Sequence, residues 1–174
     1  MYLISVRQIP MGNRIYKEEL CVTNEQFVCH ISDAEDGMYR VAKSILKNDE
    51  DCADAIQEAI LRAFDKLNTL RHEKYFKTWL TRILINECYK ILNKKKEEIS
   101  YEEYMQESKE TDMYSEVFEA LMSLDEMYRI PFVLHYIEGY SIKEISEILN
   151  IGVSNVKIRL KRARIKLQDM LKGE

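Results

Sequence analysis

The stretch from Ser141 to Leu171, SIKEISEILNIGVSNVKIRLKRARIKLQDML, constrains the fold of this chain more than any other. Ser141 followed by Glu144 forms a capping box, in which the hydroxyl accepts from the Glu144 N–H and the carboxylate reaches back to the Ser141 backbone. Ile142, Ile145, Ile148 and Leu149 then give one apolar face at helical spacing. Asn150-Ile151-Gly152-Val153 breaks that helix, and Gly152 is expected to supply the positive φ of a sharp turn. Ser154 is expected to cap a second helix. Its inner face is Val156, Leu160, Ala163, Leu167 and Leu171, and the remaining surface is cationic: Lys157, Arg159, Lys161, Arg162, Arg164 and Lys166. No acid occurs from Ile148 through Gln168. Two short helices, a tight turn and a basic second helix suit a DNA major groove. The competing reading is an amphipathic pair with a solvated basic face, or one that meets a membrane or a helix-binding partner. The apolar side lacks the Trp or Phe usual in membrane-surface helices.

A net charge of −4 over 174 residues argues against a polyanion partner only until the charge is mapped. Residues 68–96 carry +6 and 141–174 carry +4, whereas 23–67 carry −5, 97–113 carry −6 and 114–140 carry −4. Two basic patches separated by an acidic connector point to two contacts with one polyanion. With only five glycines and two prolines, and apolar spacing that is helical nearly throughout, the chain is expected to be all-α. No apolar run is long enough to span a bilayer, and no signal peptide is evident. Cys21, Cys29, Cys52 and Cys88 are scattered without a CxxC pair, which favours reduced thiols in a cytoplasm over disulfides or a metal site.

Along the chain, YLISVRQI and RIYKEEL in residues 1–22 fit a small hairpin or a loose tail equally well. Helices are expected at 24–31, 33–46 and 51–67, followed by a basic loop at 68–75 and a helix at 76–95. In the third of these helices Asp51, Asp54, Gln57 and Glu58 lie off the apolar side. The loop and the helix after it bring together Arg71, Tyr75, Lys77, Trp79, Arg82, Asn86 and Lys90, the aromatic and basic mixture on which unpaired bases stack. A lone Trp such as Trp79 is also common in a helical core. Residues 97–113, with seven acids and no apolar period, read as a solvated connector. Helices at 114–122 and 125–138 follow, with a kink or late start at Pro131 and a stop at Gly139.

Three of these stretches resemble bacterial RNA polymerase sigma factors of the extracytoplasmic-function type. DCADAIQEAILRAFDKL resembles the family's polymerase-binding helix, FKTWLTRILINECYKILNKKK the helix that reads and opens the −10 element, and ALMSLDEMYRIPFVLHYIEGYSIKEISEILNIGVSNVKIRLKRARIKL the domain that reads the −35 element. The resemblance covers 24–95 and 114–172. Asp125 stands where family members usually have Pro, and residues 1–22 have no counterpart.

The resemblance implies two small helical domains: region 2 at 24–96 and region 4 at 114–174, joined by the linker 97–113 and preceded by an extension, 1–23, of unknown role. It implies that Asp51, Asp54, Gln57 and Glu58 bind core polymerase. Arg71, Tyr75, Lys77, Trp79, Arg82, Asn86 and Lys90 would contact the −10 strand. Ser154, Asn155, Lys157, Arg159, Lys161, Arg162 and Arg164 would meet the −35 duplex, with Arg159 and Arg162 the candidates for base-edge or nearby phosphate contact. Core polymerase, promoter DNA and an anti-sigma factor are the implied partners, without membrane insertion. No cofactor, metal or catalytic residue is expected. The alternative is a stand-alone helix-turn-helix regulator with an N-terminal sensing or dimerising domain, which would leave the 68–96 patch idle.

Overall fold

The computed structural model describes residues 21–98 and 116–172, which form seven α-helices and no strand. The N-terminal hairpin-or-tail and most of the acidic connector lie outside the described residues. In order the helices are α1 (Asn24–Leu46), α2 (Asp49–Asp65), α3 (Phe76–Glu98), α4 (Glu116–Ser123), α5 (Glu126–Phe132), α6 (Ile142–Leu149) and α7 (Val153–Leu171).

α1 is one helix where a break near Ser32 was expected. Ser32 and Asp33 cost a helix only tenths of a kcal/mol, and the stripe Phe27, Ile31, Ala34, Met38, Val41 and Ile45 continues through them against one core. Thr23 and Gln26 form its capping box. Lys47, in the left-handed region at φ 63°, ends it. Asn48 then caps α2, its side-chain oxygen accepting from the Glu50 and Asp51 amides at 2.8 and 3.2 Å. Two single 3₁₀ turns, Leu67–Thr69 and Glu73–Tyr75, carry the chain from α2 to α3. Phe27 anchors this three-helix unit, meeting the rings of Phe64 and Phe76 edge-on with centroids 5.5 and 5.7 Å away.

α5 passes through Pro131 without stopping. The carbonyl deprived of its helical donor belongs to Met127, an exposed residue within reach of water. The chain then widens into a π turn, Val133–Ile137, closed by Glu138 N–H on Val133 O at 3.0 Å. Gly139, at φ +75°, provides the stop.

The helix-turn-helix forms with the Ser141–Glu144 capping box in place. The turn differs from expectation in two details. Asn150 takes the left-handed conformation at φ 52°, a role its short polar side chain tolerates. Gly152 instead stands at φ −63° as the N-cap of α7, so Ser154 is inside the helix and caps nothing. Leu171, expected on the inner face, is exposed.

The two helical units share one core. The cluster built on α1–α3 continues through Ile130, Leu134, Tyr140, Ile145, Ile148, Val156 and Leu160, while Ala120, Leu121, Leu124, Val133, Ala163 and Leu167 close a smaller one among α4, α5 and α7. Arg129, buried, ties these parts together. Its Nε donates to Ser44 O at 2.7 Å, and Nη1 to Met122 O and Leu124 O at 2.9 and 2.6 Å. Ser44 lies in the last turn of α1, and the other two carbonyls lie at the end of α4. One guanidinium therefore serves acceptors that helix ends leave without donors, at the negative poles of two helix dipoles.

Candidate nucleic-acid interface

The inner line of α7 is Val156, Leu160, Ala163 and Leu167, all buried. At about 100° per residue, the opposite face carries Ser154, Ile158, Lys161, Arg162 and Ile165. Lys157, Lys161, Arg162 and Arg164 are exposed, and none has an ion-pair partner among the described residues. Four uncompensated cations along about two turns make a strongly positive strip.

Arg159 and Lys166 are placed differently. Arg159 Nε donates to Asn155 Oδ1 at 2.9 Å, and the side chain lines a cavity of about 240 Å³ between the two units. Lys166 lies 3.6 Å from Asp125 and over the Tyr128 ring.

The candidates for the −10 strand separate into two groups. Arg71 and Tyr75 are exposed beside the 3₁₀ turn, with Lys74 4.9 Å over the Tyr75 ring. Trp79, half-buried, leans on Phe76 with centroids 5.8 Å apart and packs on the core, so the lone tryptophan is at least a structural residue. Lys77, Arg82 and Asn86 turn towards the second unit. Lys77 Nζ donates to Glu138 O at 2.9 Å and stands over the Tyr140 ring. Arg82 and Asn86 line the same cavity as Arg159. Lys90 pairs with buried Glu87 at 2.8 Å, and Arg62 reaches that carboxylate at 3.0 Å.

Around them runs a polar seam. Thr81 Oγ1 and Tyr140 Oη are 2.6 Å apart and buried, and burial pushes the Tyr140 phenol up to about 12. Thr78 Oγ1 donates to Glu144 Oε1 at 3.4 Å, and Arg40 Nε to Glu138 Oε1 at 2.6 Å.

On α2, Asp54, Gln57 and Glu58 are exposed, while Asp51 is tied to Lys95 at 2.6 Å. Glu58 accepts from Arg62 one turn on at 3.0 Å. Leu61, 56% exposed, stands two turns from Asp54 among these carboxylates. Sequence reasoning passed over it, although a leucine off the apolar stripe was visible in the spacing. Arg129 was passed over too, because a buried arginine that serves carbonyls has no sequence signature.

An all-α chain whose second unit ends in a helix-turn-helix with an uncompensated cationic second helix is a helix-turn-helix DNA-binding protein. Comparison with known proteins narrows this. Residues 31–98 match the family description Sigma-70 region 2, and residues 114–167 match Sigma-70, region 4. The chain is 32% identical to the RNA polymerase sigma factor SigV of Bacillus subtilis over 147 residues, covering 81% of this chain and 88% of the relative. It is 29% identical to the ECF RNA polymerase sigma factor SigW of the same organism, covering 79% and 84%. Among solved structures it is similar to the sigma factor RpoE of Bartonella quintana, in complex with the anti-sigma factor NepR. That match has a TM-score of 0.73 at 22% identity and covers 86% of this chain and 99% of that one. The structure of CnrH in complex with the cytosolic domain of CnrY matches at a TM-score of 0.65 and 22% identity, covering 87% and 91%. The chain belongs to the extracytoplasmic-function group of RNA polymerase sigma factors. It is a transcription initiation factor that directs core polymerase to promoters, and the matches span both helical units, which a stand-alone regulator would not require. Among the described residues no helix is long and apolar enough to cross a membrane.

Proposed function

We propose that the chain divides its work between the two units, with 24–96 as region 2 and 114–174 as region 4, joined across 97–113. The observation that carries this reading is the positive strip on α7: exposed Lys157, Lys161, Arg162 and Arg164 with no acid from Ile148 through Gln168. A duplex lying on it releases counterions from each phosphate met, and Ser154 and Asn155 approach the groove from the N-terminal end of the helix. Asp54, Gln57, Glu58 and Leu61 form the polymerase-facing side of α2, with Asp51 at its edge. Arg71, Tyr75, Trp79 and Lys90 hold the opened −10 strand, and Lys77, Arg82 and Asn86 join them when the second unit moves away.

The protein supplies recognition and no bond chemistry, works in the cytoplasm, and is held in reserve by an anti-sigma factor. Two solved relatives of the fold, one bound to the anti-sigma factor NepR and one to the cytosolic domain of CnrY, support the last point.

The test is run-off transcription from genomic fragments with core polymerase and the full-length chain. Promoter-specific transcripts are expected, and they should vanish on charge reversal at Lys161 and Arg162. Equal transcription by that variant would overturn the assignment of α7. Failure to bind core enzyme would overturn that of α2.

A further inference from the structure

The centre of the α7 outer face is not charged. Ile158 is 51% exposed and Ile165 is 48% exposed, each on the side opposite Val156, Leu160, Ala163 and Leu167. Ser154 lies one turn before Ile158, and Lys161 and Arg162 one turn after it. An isoleucine there contributes nothing to the core, and its branched side chain lowers helix propensity slightly against alanine. A face built only to attract phosphates would carry a cation or a hydroxyl at this position.

The surrounding charge limits what can cover Ile158. With Lys157, Lys161 and Arg162 exposed around it, the occupant must be anionic at its edges and apolar at its centre. A DNA major groove has this pattern: phosphates line both rims, and the one apolar group on its floor is the C5-methyl of thymine. Ile158 is the sixth residue of α7, in the N-terminal half that reaches base edges in helix-turn-helix complexes. Ile165 lies two turns further along, about 10 Å away at 1.5 Å per residue.

We propose that Ile158 is a specificity-determining residue of this sigma factor, packing on a thymine methyl in the −35 element. The proposal rests on the assignment of α7 to the −35 duplex and adds a base preference to it. Lys161 and Arg162 then draw the helix into the groove, and Ile158 distinguishes thymine from cytosine, which lacks the methyl, and from the purines.

The test uses holoenzyme assembled from core polymerase and the full-length chain. A duplex library randomised across the −35 position is selected on it, and each thymine of the enriched element is then replaced singly by uracil, which removes only the methyl. One replacement is expected to weaken binding about fourfold, the equivalent of ~0.8 kcal/mol for one buried methyl group. Ile158→Ala should abolish that difference while retaining its melting temperature, because the side chain lies outside the core. Ile165→Ala, equally exposed, should retain the difference. An enriched element without thymine would overturn the proposal, as would uracil tolerated at every position, discrimination that survives Ile158→Ala, or discrimination lost equally in Ile165→Ala. If no duplex is enriched, the assignment of α7 to the −35 element fails as well, which separates the two failures.

Discussion

Gly37 offers a perturbation whose local and long-range effects have opposite signs. It lies within α1, where alanine favours the helix by up to ~1 kcal/mol over glycine. A Cβ at Gly37 would stand 2.6 Å from Glu138 Oε2 and 3.5 Å from its Cδ. That carboxylate has little room to retreat: its side chain is 5% exposed and accepts from Arg40 Nε at 2.6 Å. Gly37→Ala therefore strengthens α1 while displacing the residue that also takes Lys77 through its backbone carbonyl. Arg40 is half exposed, so its share of the pair is discounted for solvent. The displaced carboxylate remains largely buried, and the loss of docking between the units amounts to ~1–2 kcal/mol. The open form should gain about five- to thirtyfold in population, since 1.4 kcal/mol is a factor of ten. Global stability should change by less than ~1 kcal/mol, because the helix gain offsets the loss. The assay is small-angle X-ray scattering of the free chain beside a calorimetric melt, with the double variant Gly37→Ala/Glu138→Ala as the control. Removing the carboxylate removes the clash, so Gly37→Ala should be purely stabilising when introduced into Glu138→Ala. An unchanged radius of gyration with a raised melting temperature in the single variant would refute the reasoning. So would a Gly37→Ala substitution that destabilises in both backgrounds.

Charge reversal at Asp54 and Glu58, both exposed, should change folding by only ~0.5 kcal/mol. Far-UV circular dichroism should stay intact, and pull-down with core polymerase should be lost. Leu61→Ala should weaken the same association with no loss of melting temperature, since that side chain is already in solvent. Arg129→Leu leaves the carbonyls of Ser44, Met122 and Leu124 without their donor, a cost of ~3 kcal/mol or more read in a denaturant melt. The Glu144 carboxyl is held below its ordinary 4.5, chiefly by hydrogen bonds from the Ser141 side chain and backbone. A group whose pKa is depressed on folding contributes stability that is present above the unfolded value and lost as the pH falls through the folded one. Glu144→Gln should therefore narrow the gap in melting temperature between pH 6 and the acid range below about 4.5, and a widened gap would contradict the assignment.

The helices and their order were legible because α-helical burial writes itself into spacing. Val156, Leu160, Ala163 and Leu167 had to share a face, and the Ser141–Glu144 pair had to start a helix, since both follow from contacts within four residues. Charge segregation was legible for the same reason, and the order of residues alone marked α7 and the polar face of α2. The continuity of α1 was less so: Ser32 and Asp33 are weak breakers, and only packing of Phe27 and Met38 on a common core overrides them. Which of Asn150 and Gly152 turns left-handed depended on where α7 begins, and a difference of two residues in its N-cap moves the role. The tertiary structure alone decided that Lys77, Arg82 and Asn86 face Glu138 and Arg159 across a shared core while Arg71 and Tyr75 stay open. It alone set Arg129 where two helix ends converge. Those facts join residues tens of positions apart, brought together by burial of area between units. Local spacing carries no record of such contacts, because each partner satisfies its own helix equally well with or without the other.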